Sequence, residues 1–208
     1  MLADANNKLY WFTARSSGLV AWGLCTASIL WGLALSTRLI RRRGAPAWLL
    51  DLHRFLGLLS IVFTAIHILA LNLHARWEFK ELPFGLRELF VPMASKYKPG
   101  WIAWGIAAFY LMLAVQVTSW LMRYIRRKIW HTIHLSSFAM FIGATLHGLK
   151  AGSDRNNALV QWGALTGCSM IVFLVAFRLL APKKAQLAED RAKREAAARA
   201  ASMRSPVS

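Results

Sequence analysis

The sequence predicts an all-α fold, an integral membrane five-helix bundle, and three observations carry that expectation. The 208 residues are 57% hydrophobic yet hold a net charge of +17, so apolar and basic residues are segregated along the chain. Five apolar stretches, near 16–37, 48–73, 101–122, 129–149 and 158–180, each match the ~20 residues that a helix needs to cross a ~30 Å hydrocarbon core. These stretches use nearly the whole chain, so residues 1–181 read as one transmembrane unit and 182–208 as a basic tail, with no room for a soluble catalytic domain.

The first stretch, 16–37, has no positively charged segment before it and no small-residue cleavage site after it, and reads as a retained helix. Arg38, Arg41, Arg42 and Arg43 follow it, a second basic group (Arg123, Arg126, Arg127 and Lys128) follows the third stretch, and the tail adds Lys183, Lys184, Arg191, Lys193, Arg194, Arg199 and Arg204. Short loops rich in Lys and Arg stay in the cytoplasm. The N-terminus and the connections 74–100 and 150–157 are therefore expected outside, and the C-terminus inside. Basic residues gathered at helix ends on one side of a bundle serve topology and attraction to anionic membrane lipid, so no nucleic-acid partner is implied.

The tail is rich in Ala, Lys, Arg and Glu, which favours a solvated helix with no apolar stripe to anchor it. Cys25 and Cys168 both fall inside apolar stretches, where a thiol acts as a small hydrophobe. No C-x-x-C-H run for covalent haem is present.

The histidines are the informative polar residues. With the second stretch entering from the cytoplasm near Trp48, His53 lies ~8 Å along the helix and His67 ~28 Å. With the fourth entering near Ile129, His134 lies ~8 Å in and His147 ~27 Å. Two helices running the same way thus offer two histidines each at two matching depths, as two stacked sites between them would require. His74 and His131 fall at the interfaces, and tryptophans such as Trp48, Trp77, Trp101 and Trp130 fit the aromatic belts.

Ionisable groups within a membrane are costly and point to function. Metal transport would want carboxylates or thiolates beside the imidazoles, and the stretches hold almost none. Neutral imidazole is a good ligand for haem iron, and two axial imidazoles leave no open position for substrate, so such haems pass electrons.

Rotation fits one pair better than the other. His53 and His67, 14 residues apart, share a helix face, whereas His134 and His147, 13 apart, are about 140° off at ~100° per residue. The fourth helix must change its winding, with Gly143 as one place for it, or straddle the two sites. Gly57 and Gly143 either let a porphyrin approach the backbone or serve close helix packing.

The segments "HRFLGLLSIVFTAIH" and "WHTIHLSSFAMFIGATLHGL", with "LFVPMASKYKPGWIAWG" and "HGLKAGSD", resemble the ferric-reductase-like transmembrane domain shared by NADPH oxidases, iron reductases and the membrane subunit of the bacterial methionine sulfoxide reductase system. The resemblance covers roughly residues 10–180, and the 14-and-13 histidine spacing is itself that family's pattern. It implies two haem b groups, with His53 and His134 on the cytoplasmic iron and His67 and His147 on the outer one. Oxidases and iron reductases of the family carry FAD- and NAD(P)H-binding domains after the bundle. Here no Gly-rich dinucleotide fingerprint follows the last span, so FAD and NAD(P)H belong on a partner protein.

The chain also differs from the oxidases in having no extra N-terminal span, and from the sulfoxide reductase subunit, which usually lacks a match to His53. The expectation is a stand-alone haem subunit of a bacterial inner membrane, the membrane part of an oxidoreductase. It takes electrons from a cytoplasmic flavoprotein reductase and passes them to an outer-face acceptor. Arg54, beside the inner ligand, and Arg15, near the outer end of the first span, are candidates for haem propionate contacts. The alternatives are a quinol-linked cytochrome b and a haem-free scaffold or cation-handling membrane protein. The connection 78–98, "ELPFGLRELFVPMASKYK" with its flanks, reads as an interfacial segment over the outer site.

Overall fold

A computed structural model describes residues 2–36, 47–78 and 85–204 of the chain. The Arg38–Arg43 cluster, Leu82, Phe84 and the last four residues lie outside the described residues. Side chains are described from Lys8 onward, apart from 76–78, 181–190 and 196–204.

All regular structure among the described residues is helical. Helix α1 runs Leu2–Ser36, α2 Ala47–Glu78, the short α3 Leu86–Phe90, α4 Pro99–Trp120, α5 Arg127–Leu135, α6 Ser137–Ala151 and α7 Ala158–Arg204, with a 3-10 turn over Ser153–Asn156 between α6 and α7. Four segments are long and apolar enough to cross a membrane: Lys8–Ser36, Ala47–Ala75, Pro99–Trp120 and Ala158–Leu180. They correspond to four of the five expected spans. The expected span 129–149 is covered by α5 and α6, which meet at Ser136. The ladder tightens there, with Ser136 N donating to Ile133 O at 3.0 Å and its hydroxyl to the same carbonyl at 2.6 Å.

Local chemistry sets the helix ends. Lys98 takes a left-handed conformation (φ 43°) and Pro99 opens α4, where a missing N–H costs nothing. Asn157 caps α7 by accepting the Leu159 N–H at 2.9 Å. Helix α7 continues past its apolar part into the basic tail, where Arg191 and Glu195 form an exposed i,i+4 pair.

Helix α1 is central. It packs antiparallel along α2 and also touches α6 and α7, while α4 packs along α6. A small interior cluster (Cys25, Ile29, Leu33, Ala108, Met140, Phe141 and Ile171) sits where α1, α4, α6 and α7 meet. Gly167 brings α7 against Trp22 and Thr26, and Gly143 brings α6 against the Trp104 carbonyl and Ala108. Outward faces are as apolar as the interior: Leu159, Trp162, Val172 and Phe173 are each at least 66% exposed. A water-soluble bundle would hide such side chains, whereas lipid solvates them.

Two interhelical indole bonds among the described residues are Trp22 Nε1 to Thr145 Oγ1 at 2.9 Å, joining α1 to α6, and Trp31 Nε1 to Leu49 O at 2.8 Å, joining α1 to α2. At the other end of the bundle, Tyr97 donates to Ala151 O, Lys98 to Lys150 O and Tyr110 to Phe90 O, which fastens the 85–98 segment across α4 and the end of α6.

Candidate cofactor site between paired histidines

The four histidines singled out by depth come together as two pairs. The His53 and His134 ring centres are 6.0 Å apart with planes at 68°, and those of His67 and His147 are 6.4 Å apart at 83°. A metal lies about 2.0–2.1 Å from a bound imidazole nitrogen, which is itself about 1.1 Å from its ring centre, so two opposed axial imidazoles have centres roughly 6 Å apart. Both pairs have the separation that one iron between them needs. Two imidazoles fall short of the three or four ligands a bare structural or catalytic ion takes. No group of three or more His, Cys, Asp or Glu able to hold a metal occurs among the described residues. An iron-porphyrin would need only two such ligands from the protein.

Three of the rings are oriented by the same device. His67 Nδ1 lies 2.7 Å from Ala14 O, His53 Nδ1 3.0 Å from Ser28 O, and His147 Nδ1 2.9 Å from Trp101 O. A carbonyl only accepts, so each Nδ1 carries the proton and each neutral ring turns its Nε2 lone pair the other way. Four residues beyond each accepting carbonyl is a glycine that the ring lies against. A Cβ built on Gly18 would stand 2.9 Å from His67 Nδ1, on Gly32 3.0 Å from His53 Cε1, and on Gly105 2.6 Å from His147 Nδ1. The bare turn lets the imidazole reach a carbonyl that a side chain would cover.

The fourth ring differs. His134 stacks on Trp130 at 5.0 Å with planes at 24°. Its Nδ1 and the Trp130 Nε1 are both buried without a hydrogen-bond partner among the described residues.

Beside the His67–His147 pair is a cavity of about 1220 Å³, bordered by Gly18, Gly105 and Met140 within the bundle and by Lys8, Trp11 and Lys96 at its mouth. Between the levels of Gly18 and Gly32 on α1, Trp22 stacks on Phe141 (6.0 Å, 26°).

The other residues singled out fall as follows. Arg15 borders the cavity and makes a two-pronged ion pair with Asp154 of the 3-10 turn, its Nε 3.0 Å from Oδ2 and its Nη2 on Oδ1. Arg54 pairs with Asp51 on an exposed flank. His74 also borders the cavity, with its ring 5.1 Å from Trp11, and His131 lies 6.4 Å from Trp130. Gly57 faces the side chains of Gln116 and Ser28, and Gly143 faces Trp104 and Ala108 of α4. The change of winding between His134 and His147 falls at Ser136, not at Gly143.

Sequence reasoning passed over Gly18, Gly32 and Gly105. A signal existed: Gly18 and Gly32 are 14 residues apart, the spacing of His53 and His67 on the helix antiparallel to them.

Comparisons of the chain with protein families, with curated proteins and with solved structures returned no match.

Proposed function

We propose that this chain is a five-span haem b membrane subunit of the ferric-reductase-like kind, carrying electrons across a bacterial inner membrane from a cytoplasmic flavoprotein to an acceptor at the outer face. The observation that carries the reading is the pair of imidazoles at each of two levels, with centres 6.0 and 6.4 Å apart. Haem iron held there would supply one-electron chemistry.

The protein's part is to hold and orient. His53 and His134 serve the cytoplasmic site, and His67 and His147 the outer one. The carbonyls of Ser28, Ala14 and Trp101 fix three of the tautomers, and Gly32, Gly18 and Gly105 make room for the rings. The two levels are 14 residues apart on α2, or about 21 Å at 1.5 Å per residue. Trp22 stacks on Phe141 between them.

Exposed Arg123, Arg126, Arg127 and Lys128 at the cytoplasmic turn suit an acidic face on the flavoprotein, which brings the FAD and NAD(P)H. At the other end Lys96, at the cavity mouth, suits an anionic acceptor. Arg15 is the better placed of the two candidate propionate partners, since Arg54 lies on an exposed flank.

A quinol-linked cytochrome b is the second reading, favoured by the mostly apolar walls of the cavity of about 1220 Å³. The test common to both readings is a reduced-minus-oxidised spectrum of protein made with iron and haem supplied. A b-type band at two haems per chain is expected, and its absence returns the chain to the class of haem-free scaffolds. Reduction by a flavoprotein but not by a quinol separates the first reading from the second.

A further inference from the structure

Three of the four imidazoles are docked on a glycine and a carbonyl, and His134 is not, with its buried Nδ1 lacking any hydrogen-bond partner among the described residues.

The ring stacks on Trp130. Its helix is weakly held. Helix α5 has nine residues, none of them buried, and it ends two residues after His134 at the Ser136 break. His53 and His67 ride on a 32-residue helix, and His147 on one that buries five of its residues.

We infer that His134 is the ligand that lets go, so that the cytoplasmic site can take a small neutral diatomic molecule of the class that binds ferrous haem iron, while the outer site stays closed. This rests on the haem reading above. In the exchange the bond from iron to His134 Nε2 breaks, its electron pair returns to the imidazole, and a pair from the incoming ligand forms the new bond. No electron changes hands, and His53 stays in place on the Ser28 carbonyl.

The experiment is a carbon monoxide titration of the full-length, dithionite-reduced protein, read by the Soret band. Carbon monoxide should shift half of the haem. The shift should survive His67→Ala, which empties the outer site, and should occur at several-fold lower ligand concentration in Trp130→Leu. A protein with both b-type bands and no shift overturns the inference. So does a shift that His67→Ala removes and His53→Ala leaves, or an affinity that Trp130→Leu does not move. Absence of any b-type band is a different failure and strikes the haem reading itself.

Discussion

Gly18 of α1 lies directly against the imidazole of His67 on α2: a Cβ at Gly18 would stand 2.9 Å from Nδ1, the atom that donates to Ala14 O at 2.7 Å. The glycine and the hydrogen bond are one device, because the ring can reach the carbonyl only across a turn without a side chain.

Two effects of opposite sign therefore meet in Gly18→Ala and Gly105→Ala. Helix propensity favours alanine by about 0.5–1 kcal/mol, while forcing a methyl into a filled space costs about 1–3 kcal/mol. Crowding wins, and each variant should lower haem content toward half by displacing an outer ligand. Gly100→Ala, where an added Cβ meets nothing within 4 Å and which does not border the cavity, should keep full content. Haem-to-protein ratio on purified protein decides, and equal ratios in all three variants would remove the docking role.

Ligand substitutions should act by level. His53→Ala or His134→Ala should empty one site and His67→Ala or His147→Ala the other, each leaving about half the haem, whereas His74→Ala and His131→Ala should leave both. The imidazole planes at 68° and 83° are near perpendicular, so the oxidised protein should give strongly anisotropic low-spin electron paramagnetic resonance signals. A rhombic signal of parallel imidazoles from either site would contradict this geometry. Loss of haem in His131→Ala with retention in His134→Ala would reassign the ligand on α5.

Arg15 and Asp154 tie α1 to the turn after α6, with side chains 34% and 18% exposed. Exposed pairs contribute about 0–1 kcal/mol and removal of one partner from a buried pair costs about 3–5 kcal/mol. For this half-buried, two-pronged pair the loss should fall between them. Arg15→Ala and Asp154→Ala should each lower the thermal midpoint in detergent, and the double variant should cost clearly less than the sum of the singles. Additive losses would mean that the pair contributes nothing beyond its separate residues.

Orientation is tested by single cysteines in a background without Cys25 and Cys168. A probe at exposed Met93 should react with an impermeant reagent added from outside, and one at exposed Arg191 should be spared until the membrane is opened. The reverse pattern would invert the direction of electron flow.

Much of this protein was legible in the sequence for one physical reason: the rise of a helix per residue is a local constant. Apolar length therefore marks the spans, and counting from Trp48 and Ile129 puts His53 level with His134 and His67 level with His147 before any packing is known. Rotation about the axis and the identity of neighbours are not local. The break at Ser136, which brings His134 to its partner despite a 13-residue spacing, depends on a side chain competing for a backbone carbonyl. That Gly18, Gly32 and Gly105 receive rings while Gly57 and Gly143 receive helices depends on which faces meet. The partner of Arg15 lies 139 residues away, and only the folded bundle brings Asp154 to it. The unmatched Nδ1 of His134 is likewise a property of the packing, since nothing in the local sequence decides which groups surround it.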